Sequence, residues 1–300
     1  MIGAHSPADA IARLAALKRV GTPIVMVTAY DIVSARVAEA AGVDIVLVGD
    51  SAANVVLGYD STRQVSVDEL LMLARAVRRG VRTPLIVCDL PFGSYETSDE
   101  QAVDTARLFV AKAGCDAVKL EGGGVIADRA RAIAGAGIPV MAHVGLLPQQ
   151  VEPGGSLQVK GRGADEALAI ARAAFELERA GCFAIVFEAV PRQITAAIVA
   201  QLRIPSIGIG AGGATDGQVL VFHDLVGLSG PRHPRFVRQY AALFEPMVTS
   251  VRAYASDVRT GRYPAEAHMY TVPPDQLELF LARFDRLMVP EGKEDSRTRP

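Results

Sequence analysis

The feature that most constrains this chain is the run Ile45-Val46-Leu47-Val48, which stops abruptly at Gly49-Asp50-Ser51. A half-exposed strand alternates apolar and polar residues. A strand without a polar face is buried on both sides, as in a parallel sheet covered by helices. The event recurs: Leu85-Ile86-Val87-Cys88 ends in Asp89, and Ala117-Val118-Lys119-Leu120 ends in Glu121. Carboxyl ends of parallel strands lie together on one rim, where ligands bind. Folding does not require three acids there, whereas a divalent cation with oxygen ligands does.

Further strands are expected to open near Ile24, Val140, Ala184, Pro205 and Val219, the last running to about Gly227. Helical segments separate most of them, and eight strands alternating with helices is the count of a (β/α)8 barrel of the TIM type. Periodicity alone does not close a barrel, so a doubly wound sheet is the alternative. Ser6-Pro7-Ala8-Asp9 has an N-cap, a proline at the first helical position and an acid in the first turn, which adds an N-terminal helix. A capping box is expected at Thr97 and Glu100. A helical extension comes after the eighth strand. No internal boundary shows, so residues 1–290 read as one domain, and the charged, apolar-poor segment 291–300 as a disordered tail.

Hydrophobic residues make up 50% of the 300, aromatics only 6%, and there is no Trp. That surplus of small aliphatics suits helices packed on a parallel sheet better than a sandwich. The formal net charge of −2 offers no electrostatic footprint for nucleic acid. No apolar stretch approaches the roughly 20 residues that span a bilayer. The amino end lacks a basic segment followed by an apolar run. Cys88, Cys115 and Cys182 sit in apolar surroundings and read as reduced core residues. A soluble cytoplasmic protein is expected.

Asp50, Asp89 and Glu121 are the candidate metal ligands, and Mg²⁺ is the natural hard cation for them, bound directly or through water. Helix capping by Asp50 or Ser51 is the competing role. Lys119 and Glu121, two apart on a strand, share a face. Lys119 there is either a cation aimed at a substrate carboxylate or enolate oxygen, or half of a structural ion pair. Glu188, at the end of Ala184-Ile185-Val186-Phe187, is the candidate general base, with a rim pair to Arg192 as the alternative. His143 is a possible secondary site residue, although such a histidine is more often a satisfied core residue. Gly208-Ile209-Gly210-Ala211-Gly212-Gly213 matches G-x-G-x-x-G, but a strand-like run comes next where a dinucleotide site needs a long helix. Residues 147–163, rich in Pro and Gly and carrying Lys160 and Arg162, form a loop long enough to suggest closure over a site.

In order along the chain, these residues resemble one family, ketopantoate hydroxymethyltransferase. The resemblance rests on Val27-Thr28-Ala29-Tyr30-Asp31, Leu47-Val48-Gly49-Asp50-Ser51, Asp60-Ser61-Thr62 and Cys88-Asp89-Leu90-Pro91-Phe92. It continues through Val118-Lys119-Leu120-Glu121-Gly122-Gly123, His143-Val144-Gly145-Leu146, Lys160-Gly161-Arg162-Gly163, Phe187-Glu188-Ala189-Val190-Pro191 and Thr215-Asp216-Gly217-Gln218. It implies a (β/α)8 barrel assembled as a homodecamer, with Mg²⁺ on Asp50, Asp89 and Glu121. It implies α-keto acid contacts from Asp50, Ser51, Asp89 and Lys119, and proton acceptance by Glu188. The implied reaction moves a hydroxymethyl group from 5,10-methylenetetrahydrofolate to 3-methyl-2-oxobutanoate. Tyr59 stands where the family usually has His, Leu147 where Thr is common, and Pro231-Arg232-His233-Pro234 also departs. The alternatives are a carbon–carbon lyase or mutase of the phosphoenolpyruvate mutase and isocitrate lyase type, a nucleotide-dependent dehydrogenase, and a non-catalytic metabolite-binding protein.

Overall fold

The computed structural model describes residues 6–152, 155, 158–230 and 233–287. Eight strands are β1 (Ile24–Thr28), β2 (Ile45–Val48), β3 (Leu85–Asp89), β4 (Ala117–Glu121), β5 (Val140–Gly145), β6 (Ala184–Glu188), β7 (Ser206–Ile209) and β8 (Gly217–Leu220). Each pairs in parallel with the next, and β8 pairs back onto β1 through Met26↔Val219 and Val27↔Leu220. The sheet is therefore a closed barrel, and the doubly wound alternative falls.

The helices are α1 (Pro7–Val20), α2 (Ile32–Ala41), α3 (Ala52–Val55), α4 (Val67–Arg78), α5 (Asp99–Ala113), α6 (Val125–Gly135), α7 (Ala164–Arg179), α8 (Arg192–Val199), α9 (Phe222–Leu225), α10 (Phe244–Arg259) and α11 (Pro274–Leu287). As expected, α1 starts with a capping box between Ser6 and Asp9. The box expected at Thr97 and Glu100 does not form; the N-cap lies one residue on, where Ser98 accepts from Gln101 N. The Thr97 amide is instead taken by the Gln101 side chain.

Alternation along the strands sorts the core into two clusters. Val46, Val48, Ile86, Cys88, Val118 and Leu120 face outward to the helices. Ile45, Leu47, Leu85, Val87, Ala117, Met141, Ala184, Val186 and Ile207 fill the barrel interior. Ala10 and Leu14 of α1 join that inner cluster, so the extra helix packs on the barrel. Full burial of a side chain such as Leu14 is worth about 2 kcal/mol. One more inward step along the strands, toward their carboxyl ends, the apolar filling stops. Thr28, Asp89, Lys119, His143 and Glu188 take those positions. The site is the top layer of the core with its residue types exchanged.

Two departures occur at the last strands. No helix intervenes between β7 and β8; residues 210–216 bridge them directly. Gly210 has φ +65, and a Cβ there would come within 2.6 Å of the Phe236 ring. The expected eighth strand to Gly227 is cut short at Leu220. The Phe222 amide donates to Thr28 Oγ1 instead of the ladder, and Leu225 N bonds back to Val221 O, which starts α9.

The chain divides into two compact units, Met1–Phe244 and Glu245–Pro300. In the second unit, Met247, Val251 and Tyr254 of α10 are exposed at alternating spacings of four and three. Residues 291–300 lie outside those described.

Candidate active site

Asp89, Lys119 and Glu121 lie side by side because β3 and β4 are in register at Asp89↔Lys119. Lys119 Nζ donates to Asp89 Oδ1 at 2.6 Å and lies 4.0 Å from Glu121 Oε1. The closer of its two carboxylate partners is thus Asp89. Asp89 Oδ2 accepts from the Asp50 amide at 2.9 Å, which ties the end of β2 to β3. Asp50, Asp89, Lys119, Glu121 and His143 are all buried.

The His143 ring bridges two carboxylates. Its Nδ1 is 3.1 Å from Glu121 Oε1, and its Nε2 is 3.2 Å from Glu188 Oε2. The Glu188 contact has ion-pair distance without hydrogen-bond alignment, so Nε2 has no hydrogen-bond partner among the described residues. His143 is therefore no satisfied core histidine, and the Glu188 carboxylate faces it instead of pairing with Arg192. Glu188 is the least buried of the group, with a side chain 17% exposed.

Electrostatics follow from this crowding. Burial, reinforced by Asp89 and Glu121, pushes the Asp50 carboxyl well above the usual carboxylate range. Burial alone would drive Lys119 toward its neutral form. Asp89, Glu121 and Asp50 together outweigh that and raise its pKa, which keeps it charged. Burial opposes a charge on His143 as well, yet Glu121 pushes the imidazole up to about 9. Glu121 is held low despite its burial by His143 and Lys119.

The capping role does not hold for Asp50 or Ser51. The Ser51 side chain makes no cap bond to α3. It lies 2.7 Å from Tyr30 Oη, while Asp50 Oδ2 accepts from Gln149 Nε2 at 2.8 Å. Burial raises the Tyr30 phenol, so it stays protonated.

Gln149 is the residue that sequence reasoning missed. It is 2% exposed, in the loop after β5. Its Nε2 donates to Asp50 Oδ2 and Leu90 O, its Oε1 accepts from Tyr95 Oη at 2.6 Å, and its amide donates to Glu121 Oε2. One neutral residue thus holds two of the three acids, Asp50 by its side chain and Glu121 by its backbone amide, and it pins the start of loop 147–163 to the rim. Gln149→Leu is expected to cost about 1–3 kcal/mol in urea unfolding, because it strands a buried acceptor and a buried donor. A cost under about 0.5 kcal/mol would show that the network does not hold the rim together.

A cavity of about 250 Å³ opens on the cluster and is lined by Asp50, Ser51, Asp89, Lys119, His143 and Glu188 among others. Glu121 is not on its wall. Among the described residues no three His, Cys, Asp or Glu side chains converge as a direct ligand set. Asp50 and Asp89 face the cavity, so an ion there would take these two directly and reach Glu121 through water. Tyr59, one of the departures, bonds Glu69 at the start of α4 and takes no part in the cluster.

A closed parallel barrel with buried acids, a charged lysine and a histidine–glutamate pair at its carboxyl rim defines a barrel enzyme suited to developing negative charge on oxygen. The chain belongs to the ketopantoate hydroxymethyltransferase family, whose model matches residues 9–266. It is 53% identical over 245 residues to the 3-methyl-2-oxobutanoate hydroxymethyltransferase of Acidothermus cellulolyticus, covering 82% of this chain and 90% of that protein. With the Geobacillus kaustophilus enzyme of the same name the identity is 47% over 260 residues, 87% and 93% of the two chains. Among solved structures, phosphonopyruvate hydrolase aligns with a TM-score of 0.59 at 16% identity, covering 95% of this chain and 97% of its own. A 2,3-dimethylmalate lyase aligns at 0.55 and 16%, covering 93% and 96%. These two share the fold.

Proposed function

We propose that this chain transfers a hydroxymethyl group from 5,10-methylenetetrahydrofolate to 3-methyl-2-oxobutanoate, giving 2-dehydropantoate. Family membership supports the reaction, and the buried cluster supports its chemistry. The observation that carries it is the surplus of acid. Among the described residues the basic groups that meet Asp50, Asp89, Glu121 and Glu188 are Lys119 and His143, and Asp50's side-chain hydrogen bond comes from a neutral amide. That surplus fits a divalent cation, Mg²⁺ by its preference for carboxylate oxygen, held by Asp50 and Asp89 with Glu121 behind water. A phosphonopyruvate hydrolase of the same fold was solved with oxalate and Mg²⁺, which agrees with this donor set.

The cation, when bound, supplies Lewis acidity that makes the substrate C3–H easier to remove. Glu188 accepts that proton, with His143 holding its carboxylate toward the cavity. Lys119 Nζ presents fixed positive charge to the oxygen that becomes negative. With Tyr30 Oη as donor across its 2.7 Å contact to Ser51 Oγ, the serine hydrogen is free for the substrate carboxylate.

The lyase or mutase alternative rests on fold likeness, and dependence on folate separates it. Among the described residues no helix is long and apolar enough to cross a membrane. A cytoplasmic homodecamer remains part of the proposal, supported by three buried free thiols and by the exposed apolar residues of α10.

The test is direct. The purified protein with both substrates and Mg²⁺ is expected to give the hydroxymethylated acid by mass spectrometry, and excess EDTA to stop it. Asp89→Ala is expected to raise the Mg²⁺ needed for half-maximal rate at least tenfold, as removal of a ligand should. No product from the unmutated protein overturns the reading. Full turnover in EDTA overturns its metal component.

A further inference from the structure

The wall of the 250 Å³ cavity is divided. Its charged side chains come from the strand ends of β2 to β6: Asp50, Asp89, Lys119, His143 and Glu188. The opposite arc, from β7, β8 and the segments beyond them, is apolar: Ile209, Val219, Leu220, Val221 and Phe236. Among the described residues one ionisable group lines the cavity in that arc, Asp224 on α9. It takes part in no ion pair among the described residues. Its chain neighbour His223 is kept neutral by burial. The reaction cluster has no use for an acid there.

A second observation comes from the loop after α3. Thr62 lines the same cavity and is only 8% exposed, yet its Oγ1 has no hydrogen-bond partner among the described residues. A buried hydroxyl without a partner costs free energy and points to a ligand that completes it. The cavity therefore offers, besides the groups assigned to the keto acid, an apolar wall, a carboxylate outside the ion pairs and an orphaned hydroxyl.

Position decides what this arc takes. Ile209 is the register partner of Glu188, so the arc begins beside the candidate base. A donor lying on it would bring its one-carbon unit to the carbon that loses the proton. The aminopyrimidinone ring of a reduced folate is a flat heterocycle with apolar faces. Its ring N–H and exocyclic amino group form a two-donor fork, and a carboxylate accepts such a fork with both oxygens. We infer that Asp224 and the apolar arc of β7 and β8 form the subsite for the pterin ring of the folate co-substrate, with Thr62 completing its hydrogen bonds. This rests on the proposed hydroxymethyl transfer and names where its second substrate sits.

The test uses the full-length, Mg²⁺-loaded protein and the variants Asp224→Ala and Asp224→Asn. The readouts are the KM for methylenetetrahydrofolate, tetrahydrofolate binding by calorimetry, and keto acid binding without folate. The expected result is a rise of 30-fold or more in folate KM and Kd, with keto acid Kd within twofold of the unmutated value. The near-isosteric Asn variant keeps the result readable if the Ala variant fails to fold, because its amide turns a donor toward the ring's donors. Unchanged folate KM in a folded variant overturns the subsite while leaving the reaction standing. An unmutated protein that exchanges the keto acid's C3 proton but binds no tetrahydrofolate overturns the folate reading itself.

Discussion

Glu188→Gln is expected to slow exchange of the C3 proton of 3-methyl-2-oxobutanoate with solvent deuterium on the order of 10³-fold, as loss of a positioned general base does. Proton NMR of the substrate in D₂O reads this without folate, so it isolates the first chemical step. Glutamine keeps the shape and one oxygen but has no carboxylate to take a proton. Glu188 is the group best placed for this. Its side chain is 17% exposed, against 2% for Glu121, and it lines the cavity where Glu121 does not. His143 is the competitor on geometry, but carboxylates flank both ring nitrogens and the imidazole is pushed up to about 9. A protonated ring positions; it does not accept. Exchange retained at more than a tenth of the original rate would remove Glu188 as the base.

What was legible in the sequence is what has a period. Ile45–Val48, Leu85–Cys88 and Ala117–Leu120 lack a polar face, and such strands belong inside a helix-covered parallel sheet. The interval of two between Lys119 and Glu121 put both on the inward face, where the structure has them. The closure of the barrel was not legible, because it depends on β8 meeting β1, a pairing between residues nearly 200 apart in sequence. Neutral side chains on loops carry no period either. Gln149 binds Asp50 and holds Glu121 through its backbone amide, yet in the sequence it is one more polar residue after a proline. Tyr95 and Thr62 are the same case. The shortened β8 reflects one hydrogen bond, from Phe222 N to Thr28 Oγ1, which no local propensity announces. The competing capping role for Asp50 or Ser51 falls for a related reason: tertiary partners, Gln149 and Tyr30, outcompeted the local backbone.

Lys119→Met is expected to lose both turnover and stability, and pH separates the two. Lys119 Nζ lies 2.6 Å from Asp89 Oδ1 in a buried cluster that includes Asp50 and Glu121. Methionine fills a similar volume without charge, so the variant keeps packing and loses only the cation. Turnover is expected to fall by about 10²–10³, the usual effect of removing a group that stabilises a developing oxyanion. Uncompensated buried charge is expected to cost about 3–5 kcal/mol at neutral pH. In the unmutated protein the raised pKa of Lys119 means its contribution is fully present below its unfolded pKa, about 10.4. It is lost only as pH rises through the still higher folded value. Across the neutral range that contribution is constant. In the variant the carboxylates respond instead. Asp50 already sits well above the usual carboxylate range, and loss of the lysine moves it further the same way. A carboxyl whose folded pKa exceeds its unfolded value, about 3.9, costs nothing below that pH. Its cost grows as pH rises from that value toward the folded one and is constant above it. The stability deficit of Lys119→Met in metal-free urea unfolding should therefore be largest near pH 8 and shrink toward pH 5. A deficit that is the same at both pH values would mean that packing, not charge, is what Lys119 supplies. Lys119→Arg, which keeps the charge but misplaces the point donor, is expected to recover most of the stability and little of the turnover.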